Sequence, residues 1–316
     1  MLSAPDIEER FRRALDRLVA RLRADKTILA VVLCGSLSHD KVWARSDIDL
    51  IVVTVDDEKI TRHEGLALVE EDVNIHATLC TRAEFRKMAD GSRRNSFVHS
   101  LVAKGKLIYT HDPSLEAIFP QLQRIGARDT QDQLLRAGIF VLPAFDKARK
   151  WFLTRGDLHY SALWLLQAAT PLAQIEIYSR GLLADREVLP QALKLNPKFF
   201  RPNYLDLLEK PKTRESIEAA LDNVAAYLRE RHELLFSPVI DYLREAGEVR
   251  SATEIDNEFE RQRNISCVVL ACEYLAHEGL ITKASTPVRM TRRSNVQVDE
   301  MAFVLLGDPG APPEEF

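Results

Sequence analysis

Residues 27–55, TILAVVLCGSLSHDKVWARSDIDLIVVTV, read as an apolar strand, a Gly-Ser turn, a short polar connection and a second apolar strand. Asp47 and Asp49 stand at the mouth of that second strand. A strand turns residues i and i+2 to one face, so both carboxylates point the same way, toward whatever the turn at Gly35-Ser36 holds. Such a pair suits a hard divalent cation, which often keeps waters and substrate phosphates as its other ligands. Gly35 admits tight backbone geometry and close approach of a ligand, while Ser36 offers a hydroxyl and the turn its N–H groups to a phosphate. An Asp-x-Asp at a strand start is by itself a common, solvated feature. Its weight comes from the order: apolar strand, Gly-Ser, ten residues, then DIDL opening another apolar strand. These residue types in this order point to phosphoryl or nucleotidyl transfer.

The GS(x10)DID frame resembles the signature of the nucleotidyltransferase superfamily typified by DNA polymerase beta, especially its small bacterial and aminoglycoside-modifying branches. The resemblance implies that Gly35 and Ser36 contact a triphosphate, ATP or another nucleoside triphosphate, and that Asp47 and Asp49 hold magnesium. It implies a reaction class and names no acceptor.

The chain has 316 residues, which predicts two or three domains. With 43 basic against 47 acidic side chains the net charge is −4, so no global attraction to nucleic acid or an anionic membrane is indicated. The four cysteines, Cys34, Cys80, Cys267 and Cys272, lie in apolar runs without close metal-ligand spacing, and no secretory signal or membrane-length run is seen. They read as reduced, mostly buried side chains of a cytoplasmic protein.

Four segments are predicted: a catalytic domain at 1–112, a helical bundle at 113–235, a winged-helix-like domain at 236–306 and a flexible tail at 307–316. The first is read as a mixed sheet covered by helices, an α/β nucleotidyltransferase domain. Residues 5–24 form an amphipathic helix with arginines on its polar face, strands are expected at 28–34, 48–55, 73–79 and 106–110, and helices at 83–89 and 94–104. The third strand holds the anomaly. The family usually presents a third acid there, and here His76 stands at or near that place, with Asn74 on the same face. Three readings stay open: His76 serves as base, a bulge turns Asp72 or Glu71 inward, or neither completes the site.

The middle third changes to helical patterns at 129–153, 158–180 and 214–235, resembling the helical domain that follows the catalytic domain in kanamycin-type nucleotidyltransferases. Candidate cleft groups are Lys147, Arg149 and Lys150, which suit a triphosphate, and Glu176 in the run AQIEIYSRG, whose burial would raise its pKa toward that of a base. A solvated helix face is the competing account of the three cations. From Ser237-Pro238 onward, helices beginning near Val239, Ser251 and Ile265, then GLITK, VRMT and MAFVLL, resemble a winged helix. Arg261, Arg263, Asn264, Lys283, Arg289, Arg292 and Arg293 are its candidate DNA contacts, opposed by Glu254, Asp256, Glu258, Glu260, Glu273 and Glu278, so DNA is not favoured.

The expected activity is magnesium-dependent transfer of a nucleoside monophosphate from a triphosphate to a hydroxyl of a small molecule or a protein, releasing pyrophosphate. The alternative is a DNA-binding or regulatory protein that keeps the fold as a nucleotide sensor. Expected partners are the nucleotide and a hydroxyl acceptor, with a homodimer left open and no membrane.

Overall fold

The computed structural model describes residues 4–35, 46–56, 65–89, 105–119, 127–184, 187–291 and 293–305. Ser36, the expected helix at 94–104 and the tail 307–316 lie outside these residues. The chain divides into two compact units, Met1–Gly126 and Ala127–Phe316.

The first unit is built on a five-stranded mixed sheet of order β3-β4-β2-β1-β5, with β1 at Ile28–Cys34, β2 at Ile48–Thr54, β3 at Gly65–Glu70, β4 at Val73–Thr81 and β5 at Lys106–Thr110. Strand β2 runs antiparallel to β1 and parallel to β4, while β3 and β4 form an antiparallel hairpin. Helix α1 (Ala4–Leu22) lays Ile7, Phe11, Leu15, Leu18 and Val19 on one face of the sheet. There they meet Ile48, Leu50 and Val52 of β2 and Val73, Ile75 and Ala77 of β4. The period of two therefore turns Asp49 of β2 and Asn74, His76 and Thr78 of β4 to the opposite face. Helix α2 (Arg82–Ala89) opens on a reciprocal cap: Glu84 accepts from the Thr81 N–H at 3.0 Å and donates its own to Thr81 Oγ1 at 3.2 Å. A short helix α3 (Pro113–Glu116) follows β5.

The second unit opens with α4 (Ala127–Arg155) and α5 (Leu158–Tyr178), packed as a helical hairpin. The joint is two residues: Gly156 at φ +62° ends one helix in the left-handed region, and Asp157 caps the next by accepting from the Tyr160 N–H at 2.9 Å. Then come α6 (Val188–Leu195), α7 (Pro197–Phe200), a π-helical turn at Arg201–Leu205, α8 (Asp206–Glu209), α9 (Arg214–Arg229) and α10 (His232–Ala246). The remainder is β6 (Arg250–Ser251), α11 (Ala252–Arg263), α12 (Val269–His277), β7 (Thr282–Arg289) and β8 (Gln297–Val304), the strands forming a sheet of order β6-β8-β7.

One hydrophobic core runs from Leu134 to Phe303 through this unit. The expected boundary at 235 falls inside α10, which continues through Pro238 because Leu235, Phe236, Val239 and Leu243 are all buried in that common core. Packing outweighs the local cost of the proline. The helix expected from Ile265 begins at Val269 instead: Asn264 and Cys267 take φ of +51° and +61°, and Asp256 accepts from the Val269 N–H at 3.1 Å. Cys267 is exposed, whereas Cys34, Cys80 and Cys272 are buried.

Candidate active site

Sheet register decides what surrounds Asp49. Cys34 of β1 pairs with it on one side and His76 of β4 on the other. Residues directly opposite share a face, and the His76 Nδ1 lies 3.8 Å from Asp49 Oδ1 with both side chains partly open to solvent. Asp47 sits two residues earlier, immediately before β2, and is half-buried.

Gly35 follows β1 at φ +69° and lies against the Asp49 side chain: a Cβ placed there would stand 3.1 Å from Asp49 Cγ and 3.2 Å from its Cβ, with a carboxylate oxygen closer still. The glycine is demanded by its backbone conformation and again by the approach of the acid. Cys34 was legible only as a buried thiol; its place beside Asp49 comes from strand pairing. Burial, and then the Asp49 charge, push its thiol up to about 12, so it stays protonated and contributes no thiolate.

The other candidates for the third acidic position are placed elsewhere. Glu71 and Asp72 form the two-residue β3–β4 turn with φ of +49° and +59°. Glu71 turns toward α1, 2.7 Å from Arg17 and 3.6 Å from Arg13, while the neighbouring Glu70 pairs with Arg21. Strand β4 keeps unbroken register with both neighbours, so no bulge carries either acid inward. At ~3.3 Å per residue, Asp72 is roughly 13 Å along the strand from His76. Of these candidates for the third position, His76 is the one beside Asp49.

Among the described residues no group of three or more His, Cys, Asp or Glu side chains is arranged to hold a metal ion. The donors that are present, two carboxylates at a strand mouth open to solvent, fit a hard cation that arrives with a triphosphate and shares its oxygens and waters.

Lys147, Arg149, Lys150 and Glu176 belong to the second unit. The Lys147 ammonium stands 4.3 Å from the Trp164 ring centroid, and Arg149 and Lys150 are exposed on α4. Glu176 is only 3% exposed. It accepts from Arg180 Nε and Nη2 at 3.0 and 2.6 Å, from Asn196 Nδ2 at 3.1 Å and from the Tyr227 hydroxyl at 2.8 Å. Burial alone would raise its pKa, but these donors outweigh it and hold the carboxyl below the usual 4.5. The expectation of a raised, base-like Glu176 is thereby overturned: burial came with a full set of hydrogen-bond partners.

The Gly35 turn lies against one strand-borne acid, Asp49, on a mixed sheet. Residues 17–114 match the family described as polymerase beta, nucleotidyltransferase, and this part of the chain is a domain of that kind. A nucleotidyltransferase-like protein from Exiguobacterium sibiricum 255-15 shares the fold, with a TM-score of 0.62 at 15% identity over 94% of this chain and 99% of its own. No curated protein matches the chain.

Proposed function

We propose that the protein transfers a nucleoside monophosphate from ATP or another nucleoside triphosphate to a hydroxyl of a small molecule or a protein side chain, with Mg²⁺ and release of pyrophosphate. The observation that carries this reading is Asp49 held between the Gly35 turn and His76 at an open strand mouth. Gly35 and Ser36 meet the triphosphate, and Asp47 and Asp49 hold the cation, which when bound offsets charge building on the phosphates. His76 takes the acceptor's proton from the place where an acid is usual. Lys147 and Lys150 are assigned to the nucleotide's charge on the strength of sequence alone. Glu176, satisfied by its four hydrogen bonds, serves the architecture of the helical unit in this reading.

Calorimetry with Mg²⁺ and nucleoside triphosphates, followed by pyrophosphate release with a panel of hydroxyl acceptors, tests the reading. Binding and slow release are expected in the wild type, and Asp49→Asn is expected to lose the release. Failure to bind any triphosphate in the presence of Mg²⁺ would sink it.

A second reading, a DNA-binding regulator with a winged-helix module, draws on the helix and strand order of 232–305 and on residues 281–298, which hold Lys283, Arg289, Arg292 and Arg293 and no acid. Against it, Arg263 pairs with Asp132 of α4, and Arg261 lies 2.5 Å from Glu258. The exposed side of α12 carries Glu273. A genomic pull-down repeated at raised salt separates the readings, since non-specific phosphate contacts fade steeply with salt.

A further inference from the structure

The two sheets present four edges among the described residues, and three are blunted. Strand β5 carries Lys106 and meets β1 through a register shift between Val31 and Val32. Strand β7 carries Lys283, Pro287 and Arg289, and β6 is two residues long. Lysine, proline, irregular register and brevity are the means by which edges avoid pairing.

Strand β3 has none of them. Its run Gly65-Leu66-Ala67-Leu68-Val69 holds no charge and no proline, keeps unbroken register with β4, and receives no hydrogen bond at its outer edge from any described residue. Leu66 is 38% and Val69 65% exposed, one on each face of the strand. A row of open N–H and C=O groups flanked by exposed apolar side chains is a template for another strand.

We propose that β3 pairs antiparallel with β3 of a second copy of this chain about a two-fold axis, joining the two sheets edge to edge. The strand is self-complementary, as an isologous contact requires. With the axis through Ala67 and perpendicular to the sheet, Leu66 meets Leu68 of the second copy on the α1-covered face. On the other face Gly65 leaves room for Val69 of the second copy. Leu66 gains an apolar cross-strand neighbour in Leu68, and no like charges oppose one another within 65–69. Glu70 is held at the strand end by Arg21, outside that ladder. A foreign peptide is the weaker occupant, because strand addition takes its selectivity from side-chain pockets and charges and residues 65–69 offer no charge to select one.

A ladder confined to residues 65–69 buries modest area, so the dimer dissociates on dilution. The test is sedimentation velocity of the full chain over a wide dilution series, with hydrogen exchange followed at 65–70. The average mass is expected to move from monomer toward dimer with concentration as the β3 amides gain protection, and Leu66→Lys with Val69→Lys is expected to stay monomeric with unchanged far-UV circular dichroism. The proposal is overturned if the wild type is monomeric throughout, if the dimer survives both lysines, or if β3 protection is the same at both ends of the series. Should the double variant misfold, the wild-type exchange comparison decides alone.

Discussion

Gly35 joins two constraints that a side chain would violate together, a left-handed backbone and contact with Asp49. An alanine there carries a backbone cost of about 1–2 kcal/mol and drives the carboxylate away from the turn. Gly35→Ala is therefore expected to keep its circular dichroism spectrum yet lose Mg²⁺-dependent triphosphate binding in calorimetry. His76 separates binding from chemistry. His76→Ala should leave nucleotide affinity nearly intact while lowering the transfer rate by roughly 10²–10⁴-fold, the range for a lost proton acceptor. His76→Asp should tighten Mg²⁺ binding by supplying another oxygen, read directly by titration with the metal. Equal rates in wild type and His76→Ala would remove the histidine from the mechanism.

At the scale of elements, α1 does more than cover the sheet. Arg13, Arg17 and Arg21 recur every four residues and meet Glu70 and Glu71 at the β3–β4 turn, so the arginine face is turned to the hairpin that carries His76. In the second unit Glu176 ties α5 to the Asn196 junction and to Tyr227 of α9. Glu176→Ala strands a buried tyrosine hydroxyl and an amide, and should destabilise by about 2 kcal/mol in urea unfolding; Glu176→Gln should cost less. Strands β1, β2, β4 and β5 and the amphipathic α1 were legible because each is written in local periodicity or spacing, whereas β3 was not expected from the sequence. The pair of acids was legible too. The Glu176 cluster was not, because its partners lie up to 51 residues away, nor was the seat of Glu71, which depends on how a turn meets a helix. Pro238 misled because a local stop signal lost to a shared core.

For the whole molecule, the carboxyl groups set a common direction with pH. Asp25, through Thr27, Asp56, through the Ala83 N–H, and Asp112, through Ser114, all lie below the ordinary 3.8. Glu215, held by its own backbone N–H and Thr213, and Glu300, held by Thr253, lie below 4.5. Glu176 does so despite burial. A carboxyl depressed in the folded state binds its proton more readily when unfolded, so its stabilisation is complete above the ordinary value and drains away as pH falls from there through the depressed value of the folded state. Asp146 runs the other way: burial raises it, so it weakens the fold at neutral pH and relieves that cost on protonation. Among the described residues, six groups against one predict net acid lability beginning near pH 4.5. The exposed members are screened by salt, whereas Glu176, 3% exposed, is shielded from it. Urea unfolding between pH 7 and pH 3 should therefore show a falling midpoint below about pH 5 that persists in high salt, and Glu176→Gln should flatten the salt-resistant part. A midpoint that holds steady or rises toward pH 3 would contradict the assignment of these carboxyls as charged, hydrogen-bonded groups of the folded chain.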